Sequence, residues 1–305
     1  MSESGQATVE HNPALAGPLE SDAAAMCARA IQTALLGGGY LAAYVALDWI
    51  SFIAPHGPFA ITPWNPNTGL SIVVILMFGR RMIPFQFIAP LLADLVVRQF
   101  PLPMSVEIAS AVLIGGVYGA AMLFLLHPKL RFDRTLASMS DLVLLSFTTV
   151  VSTALVAAGY VGMVVAAGLL PAADFIAATL SYWVGDMIGI LVVAPFGLIL
   201  TTRRNVLRMS TETVLQFAAI LATLTLVYGY WTVLHLQLFY MLFLPIVWMA
   251  VRTGIEGVSI GILITQLGLI IGLHVFPDGT HELPKVQALM PVSYTHLTLP
   301  TNREV

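Results

Sequence analysis

The chain has 305 residues, of which 58% are hydrophobic and only 10% charged, and its net charge is −3. Soluble domains carry about 25% charged residues, and a soluble fold has no means of covering this much apolar surface. Composition therefore excludes a water-soluble domain, and the mean hydropathy of +0.89 agrees. No basic run offers a surface to nucleic acid, and the single cysteine, Cys27, excludes an internal disulfide or a cysteine-rich metal site.

Residues 1–28 are polar, Ala-rich and mildly acidic, with Glu3, Glu10, Glu20 and Asp22. They lack the basic start and early apolar core of a signal peptide and read as a disordered cytoplasmic tail. A spanning helix needs about 20 apolar residues. Candidate spans are Ile31–Ile53, Gly69–Phe78, Ile83–Val97, Val106–Leu126, Leu142–Leu170, Phe175–Leu200, Val214–Leu234, Phe239–Val251 and Ile255–Val275. Gly69–Phe78 is too short to cross alone and is expected to gain length from the Pro66 side. The runs do not alternate apolar and polar residues, which excludes a barrel. The expected fold is all-α, a polytopic integral membrane bundle of about nine transmembrane helices.

Basic residues orient such a bundle. With the N-terminus cytoplasmic, Arg29, Arg80, Arg81, Lys129, Arg131, Arg134, Arg203, Arg204, Arg208 and Arg252 all fall inside, against Arg98 and Lys285 outside. Nine spans starting inside end outside, which places 276–285 (FPDGTHELPK) in the periplasm. Residues 292–301 (VSYTHLTLPT) match one translated frame of a widely used transposon-type sequencing adapter. The true frame is expected to be lost near Pro291, with Val286–Met290 opening a tenth helix that is cut short. The expected division is a tail (1–28), a membrane domain (29–291) and translated adapter (292–305).

Several segments contain groups able to do chemistry. Residues 62–70 (TPWNPNTGL) form a rigid, proline-rich turn. Trp64 there reads either as an interfacial anchor or as part of a re-entrant segment, in which Asn65 and Asn67 would hydrogen-bond a ligand. Tyr182-Trp183-Val184-Gly185-Asp186 lies inside the sixth span, where a carboxylate costs a few kcal/mol, about 2.5–3.5 at the helix centre, and marks function by default. Tyr182 sits one turn before Asp186, so its hydroxyl is expected to approach the carboxylate. Gly185 and Gly189 give a small-residue face for close helix packing. A polar clamp between helices and a ligand site both remain open for Asp186. Asp94 precedes Arg98 by one turn, the favourable order for an ion pair. Asp48 ends the first span with Tyr44 one turn before it, and Glu107 opens the fourth span as a helix-terminal charge.

His281-Glu282-Leu283 superficially matches a histidine-kinase phospho-acceptor box. Pro284 follows directly, no nucleotide-binding region comes after it, and topology puts it outside, so that reading is rejected. The remaining histidines are scattered, and neither an H-E-x-x-H spacing nor a phosphate-binding glycine loop occurs. No metal and no cofactor is expected. Gly115/Gly119, Gly257/Gly261 and Gly268/Gly272 read as helix-packing faces.

Together these segments resemble the first-described membrane-associated sensor domain of bacteria, the MASE type-one family. The resemblance is carried by Thr62–Leu70, Phe78-Gly79-Arg80-Arg81, Leu91–Val97 (LLADLVV), Tyr182–Gly189 (YWVGDMIG) with Ala194-Pro195, and Pro245–Gly254 (PIVWMAVRTG). It covers Arg29 to Met290 and departs from the family pattern at Asn67-Thr68, where small or proline residues are expected. It implies an input module in the bacterial inner membrane that feeds a cytoplasmic histidine kinase or diguanylate cyclase. No catalytic residue is expected in this chain. Expected partners are membrane lipid, a small-molecule signal, the output domain and a second copy as a homodimer. The residues expected to sense the signal are Trp64, Asn65, Asp94, Tyr182, Trp183 and Asp186. The competing reading is a proton-coupled small-solute transporter, in which Asp48, Asp94 and Asp186 relay protons or hold substrate.

Overall fold

The computed structural model of the chain describes residues 18–52, 64–203, 210–229 and 240–275. The tail before residue 18, the 276–285 segment with His281-Glu282-Leu283, and the 286–305 stretch lie outside them. The chain divides into two compact units, 1–39 and 40–305. The first contains the start of helix α1 (Pro18–Ser51), so residues 18–28 of the expected tail are helical. Met26, Ile31 and Leu35 are exposed there, as lipid-facing side chains would be.

The second unit continues α1 and adds α2 (Pro66–Phe78), α3 (Ile83–Ala93), α4 (Met104–Leu125), α5 (Met139–Ala166), α6 (Phe175–Thr202), α7 (Thr211–Gly229) and α8 (Phe243–Val275). Among the described residues every regular element is helical, as expected. Local chemistry sets the boundaries. Pro66 opens α2 and a proline stands in the first turn of α3, where a missing N–H costs nothing. Ser138 caps α5 in a reciprocal capping box with Asp141. A π-helical turn, Asp94–Arg98, prolongs α3 and ends at Gln99 in a left-handed conformation.

Seven stretches are long and apolar enough to cross a membrane: Ala25–Ser51, Pro66–Arg98, Met104–Leu125, Met139–Ala166, Ala172–Thr202, Thr211–Tyr228 and Tyr240–Gly272. The chain is a multi-pass membrane protein with seven such candidates among the described residues. The difference from nine lies in two places. Pro66–Arg98 joins the expected second and third spans, and Tyr240–Gly272 joins the eighth and ninth.

Neither joined stretch is a straight rod. Pro66–Arg98 has 33 residues, about 50 Å if straight. Yet Asn67 near its start and Arg98 at its end both bond Asp48 Oδ1, at 2.9 and 2.8 Å. The stretch therefore doubles back, and it turns at Gly79, whose φ of 76° and ψ of −159° are open essentially only to glycine. Gly254, inside α8, adopts nearly the same conformation, with φ 63° and ψ −153°. Met249 Sδ lies 2.7 Å from where a Cβ on Gly261 would stand, although a straight helix would hold those residues about 18 Å apart. α8 therefore also folds back on itself.

Contacts sort the helix ends into two groups. Arg134 reaches the Met77 carbonyl near the Gly79 turn, Arg203 pairs with Glu256 and the Thr135 carbonyl, and Arg252 pairs with Glu212. Basic residues thus gather where the two hairpins turn. The opposite group holds the end of α1, the start of α2, the π-turn and the start of α4, joined through Asp48, Asn67, Arg98 and the Leu102–Glu107 hydrogen bond.

Helix α6 belongs to both apolar cores. Ile188 and Val192 pack with Ile220, Leu224, Ile246 and Val258 of α7 and α8. Ile190 and Leu198 pack with Ile72, Leu76, Met122 and Leu145 of α2, α4 and α5. The expected glycine faces serve close packing: Gly115 meets Phe87, Gly268 meets Leu224 and Gly272 meets Tyr228. The tightest approach to another segment's backbone is at Gly189, where a Cβ would lie 1.9 Å from the Asn65 carbonyl oxygen, an atom that cannot rotate away. Gly189→Ala is therefore expected to cost about 1–3 kcal/mol by overpacking and to lower the thermal midpoint of the detergent-purified chain. Gly116→Ala, where a Cβ meets nothing within 4 Å, should leave the midpoint unchanged or raise it. Equal midpoints for the two variants would contradict this packing.

Candidate functional site

The segment at the start of α2 is held against α6 by backbone and side chain together. Asn65 N–H donates to the Gly185 carbonyl at 3.2 Å, and its Nδ2 donates to Asp186 Oδ1 at 2.7 Å. Thr68 Oγ1 donates back to the Asn65 carbonyl at 2.6 Å, which fixes the turn into the helix. Gly189, one turn after Gly185, makes this approach sterically allowed. Tyr118 of α4 donates its hydroxyl to Asp186 Oδ2. The fully buried Asp186 carboxylate thus ties α2, α4 and α6 together in an apolar interior.

A second carboxylate does the same at the ends of the helices. Asp48 is 1% exposed and accepts from Asn67 Nδ2 and Arg98 Nη2 through one oxygen. Arg98 Nη1 donates to Asp94 at 2.8 Å, and the guanidinium also lies 5.5 Å from the Phe52 ring centroid. One cation therefore serves two acidic residues from two helices. The π-turn supplies the geometry: its wider coil turns Arg98 toward α1 while keeping Asp94 one turn away, and such turns recur at functional sites. Glu107, at the start of α4, accepts from the Leu102 N–H at 3.0 Å, as a helix-terminal charge should. Tyr40 links three helices, its hydroxyl lying 2.8 Å from Ser71 Oγ and 3.0 Å from Gln86 Oε1.

Between these two carboxylates lies a cavity of about 60 Å³. Its walls include Asp48, Asn65, Asn67, Asp94, Arg98, Asp186 and the rings of Tyr44, Tyr160 and Tyr182. Of the residues expected from sequence, Asn65, Asp94, Tyr182 and Asp186 line it. Trp64 and Trp183 do not. Trp64 is 3% exposed and packs in the apolar core with Ile188 and Val192, which replaces the interfacial-anchor reading. Trp183 donates its indole N–H to the Val150 carbonyl at 3.1 Å and fastens α6 to α5. Tyr182 stands beside the cavity against Tyr160, with centroids 4.8 Å apart, while Tyr118 and Asn65 take the hydrogen bonds to Asp186. The Asp94–Arg98 pair forms as expected.

Arg98, Tyr118 and Tyr160 fall outside the expected site residues, whereas Asn67 enters only through the re-entrant reading of its loop and Asp48 only through the transporter reading. Asp48 carried a usable signal, because Tyr44-x-x-x-Asp48 repeats the spacing of Tyr182-x-x-x-Asp186. Tyr118 and Tyr160 carried none, each being one aromatic in an apolar run. Among the described residues, no group of three or more His, Cys, Asp or Glu is placed to hold a metal ion.

A multi-pass membrane protein, all-helical among the described residues, with a buried, carboxylate-lined polar cavity has an architecture that receptors and carriers share. The comparison with family models decides between those classes: the MASE1 model matches residues 32–284, and the chain belongs to that family. It is a membrane sensor domain, a sensory input module. No curated protein and no solved structure matches it.

Removing the shared cation tests the site directly. Arg98→Met leaves the Asp48 and Asp94 carboxylates facing each other inside the protein, and breaking a buried pair in this way costs about 3–5 kcal/mol. A large fall in the thermal midpoint in lipid nanodiscs is expected, partly restored by adding Asp48→Asn. A midpoint unaffected by Arg98→Met would mean that the ion pair does not hold these helices.

Proposed function

We propose that the chain perceives a small-molecule signal in the cavity between Asp48 and Asp186 and passes it to a cytoplasmic histidine kinase or diguanylate cyclase. The observation that carries this reading is the placement of Asp186. It is buried at the junction of three helices, bonded by Asn65 and Tyr118, and open to the cavity. A ligand that competes for any of these bonds favours one helix packing over another, which is how binding shifts a two-state equilibrium. The glycine turn at Gly79 is a natural hinge at the far end of α2, where an output domain would be driven.

In the bilayer we assign nine crossings, with the N-terminus and both glycine turns on the cytoplasmic side of a bacterial inner membrane. The doubling back of Pro66–Arg98 and of α8 supports the count, and the basic residues gathered at the turns support the orientation. Reporter fusions after Arg81 and after Pro101 should report cytoplasmic and periplasmic locations respectively. The same location for both would reduce the hairpin to a single crossing.

One observation favours the transporter reading. The hairpins turn at glycines of matching conformation, and paired broken helices are a mark of transporter repeats. In transporters, however, such breaks face the substrate near the midplane. Here both lie at the basic end, and the acidic residues at the opposite end frame the cavity.

Asp186→Ala in an intact family member that carries its output domain should abolish the signal response while leaving membrane insertion and expression normal. A response that survives would remove Asp186 from the sensing site. Proton-gradient-dependent uptake of solute by the chain in proteoliposomes would favour the transporter instead.

A further inference from the structure

The hydrogen-bond ledger of the cavity is unbalanced in one direction. Asp48 Oδ2 and Asn67 Oδ1 are buried and have no hydrogen-bond partner among the described residues. Both belong to residues that line the cavity, and both are acceptors. Asn67 has already given its amide N–H to Asp48, so the two orphan oxygens cannot satisfy each other. A buried acceptor without a donor is costly, and a bound group with N–H donors would remove that cost.

Charge points the same way. Asp48, Asp94 and Asp186 line the cavity against one guanidinium, Arg98. Both Arg98 Nη atoms are engaged, one on Asp48 and one on Asp94. No second cationic side chain is among the described residues that line it. An anionic ligand would therefore meet three carboxylates and an arginine already occupied. The aromatic lining is compatible with this, because Tyr44, Tyr160 and Tyr182 are among the walls and an aromatic ring attracts a cation placed over its face.

Size and donor chemistry narrow the cation. About 60 Å³ admits only a small head group, which excludes bulky quaternary amines. The donor set for a bare metal is poor, since no cluster of three or more metal-ligating side chains occurs among the described residues. An ammonium group has N–H donors for two orphan acceptors and positive charge for the carboxylates, and it suits the ring faces.

We propose that the cavity binds the ammonium group of a small primary amine, with Asp48 Oδ2 and Asn67 Oδ1 as its acceptors and the tyrosine rings as its wall. This rests on the reading of the cavity as the sensing site and names the chemical class of its ligand. Binding there would bridge α1 and α2 through the same two residues that close the first hairpin, so ligand occupancy and hairpin closure are coupled.

The test is direct binding, which is independent of signalling. The full chain in lipid nanodiscs is titrated with methylammonium and ethylammonium at constant ionic strength, with sodium and tetraethylammonium as controls. Thermal midpoint and calorimetric heat are the readouts. Saturable stabilisation by the two primary amines alone is the expected result. Asp48→Asn, and independently Asn67→Leu, should each weaken it about tenfold or more, the loss of one charge-assisted hydrogen bond. If Asp48→Asn fails to fold, Asn67→Leu decides, since it keeps the Asp48–Arg98 pair. No saturable binding of either amine, equal binding of sodium, or unchanged affinity in a folded variant would each overturn the proposal. If amine binding fails while Asp186→Ala still abolishes signalling in an intact relative, the sensing site stands and only the ligand class falls. If amines bind but signalling ignores Asp186, the sensory reading of the cavity fails instead.

Discussion

The Asp48 carboxylate, placed among apolar helices, is the constraint on which the rest depends. An ionised side chain in such surroundings is costly unless opposite charge and hydrogen bonds compensate. One of its oxygens takes both Asn67 and Arg98, residues from the two ends of a 33-residue stretch. Meeting both partners obliges that stretch to fold back, and folding back obliges a turn that only glycine adopts readily at Gly79. The polar contacts therefore decide the path of an otherwise featureless apolar chain. Lipid tails match leucine in polarity, so apolar packing alone is a weak guide to which helix lies beside which.

Asp186 repeats this logic deeper in the bundle. It draws Asn65 and Tyr118 together from α2 and α4, and Gly189 lets the backbone of Asn65 lie directly on α6. The two carboxylates are joined through the residues between them, because Asn65 and Asn67 belong to one turn. A segment of a few residues therefore links the two carboxylates directly. That arrangement suits a sensor, in which a small event at a ligand must move whole helices.

Much of this was legible in the sequence. Apolar runs identified the helices, and the basic residues identified their ends. The breaks at Phe78-Gly79-Arg80-Arg81 and at Thr253-Gly254 were visible as short interruptions that divide two long stretches into pairs. The Asp94–Arg98 pair followed from helical spacing alone, and Asn65, Tyr182 and Asp186, singled out by their place in the sequence, line the cavity. The two tryptophans were misleading, because an indole suits an interface, a hydrogen-bonded clamp and an apolar core equally well. Only neighbours separate those roles: Val150 for Trp183, and Ile188 with Val192 for Trp64.

By itself the sequence determined what composition and short-range spacing can determine: an all-helical membrane protein, the places where its helices begin and break, and the acidic residues that must be compensated. Tertiary structure alone decided which partners compensate them. Asp48 found Arg98 and Asn67, and Asp186 found Tyr118, across separations of up to 68 residues in the chain. No local pattern encodes such a pairing. An isolated tyrosine or arginine in an apolar run satisfies any carboxylate it meets, and only the packing of whole helices settles which one that is.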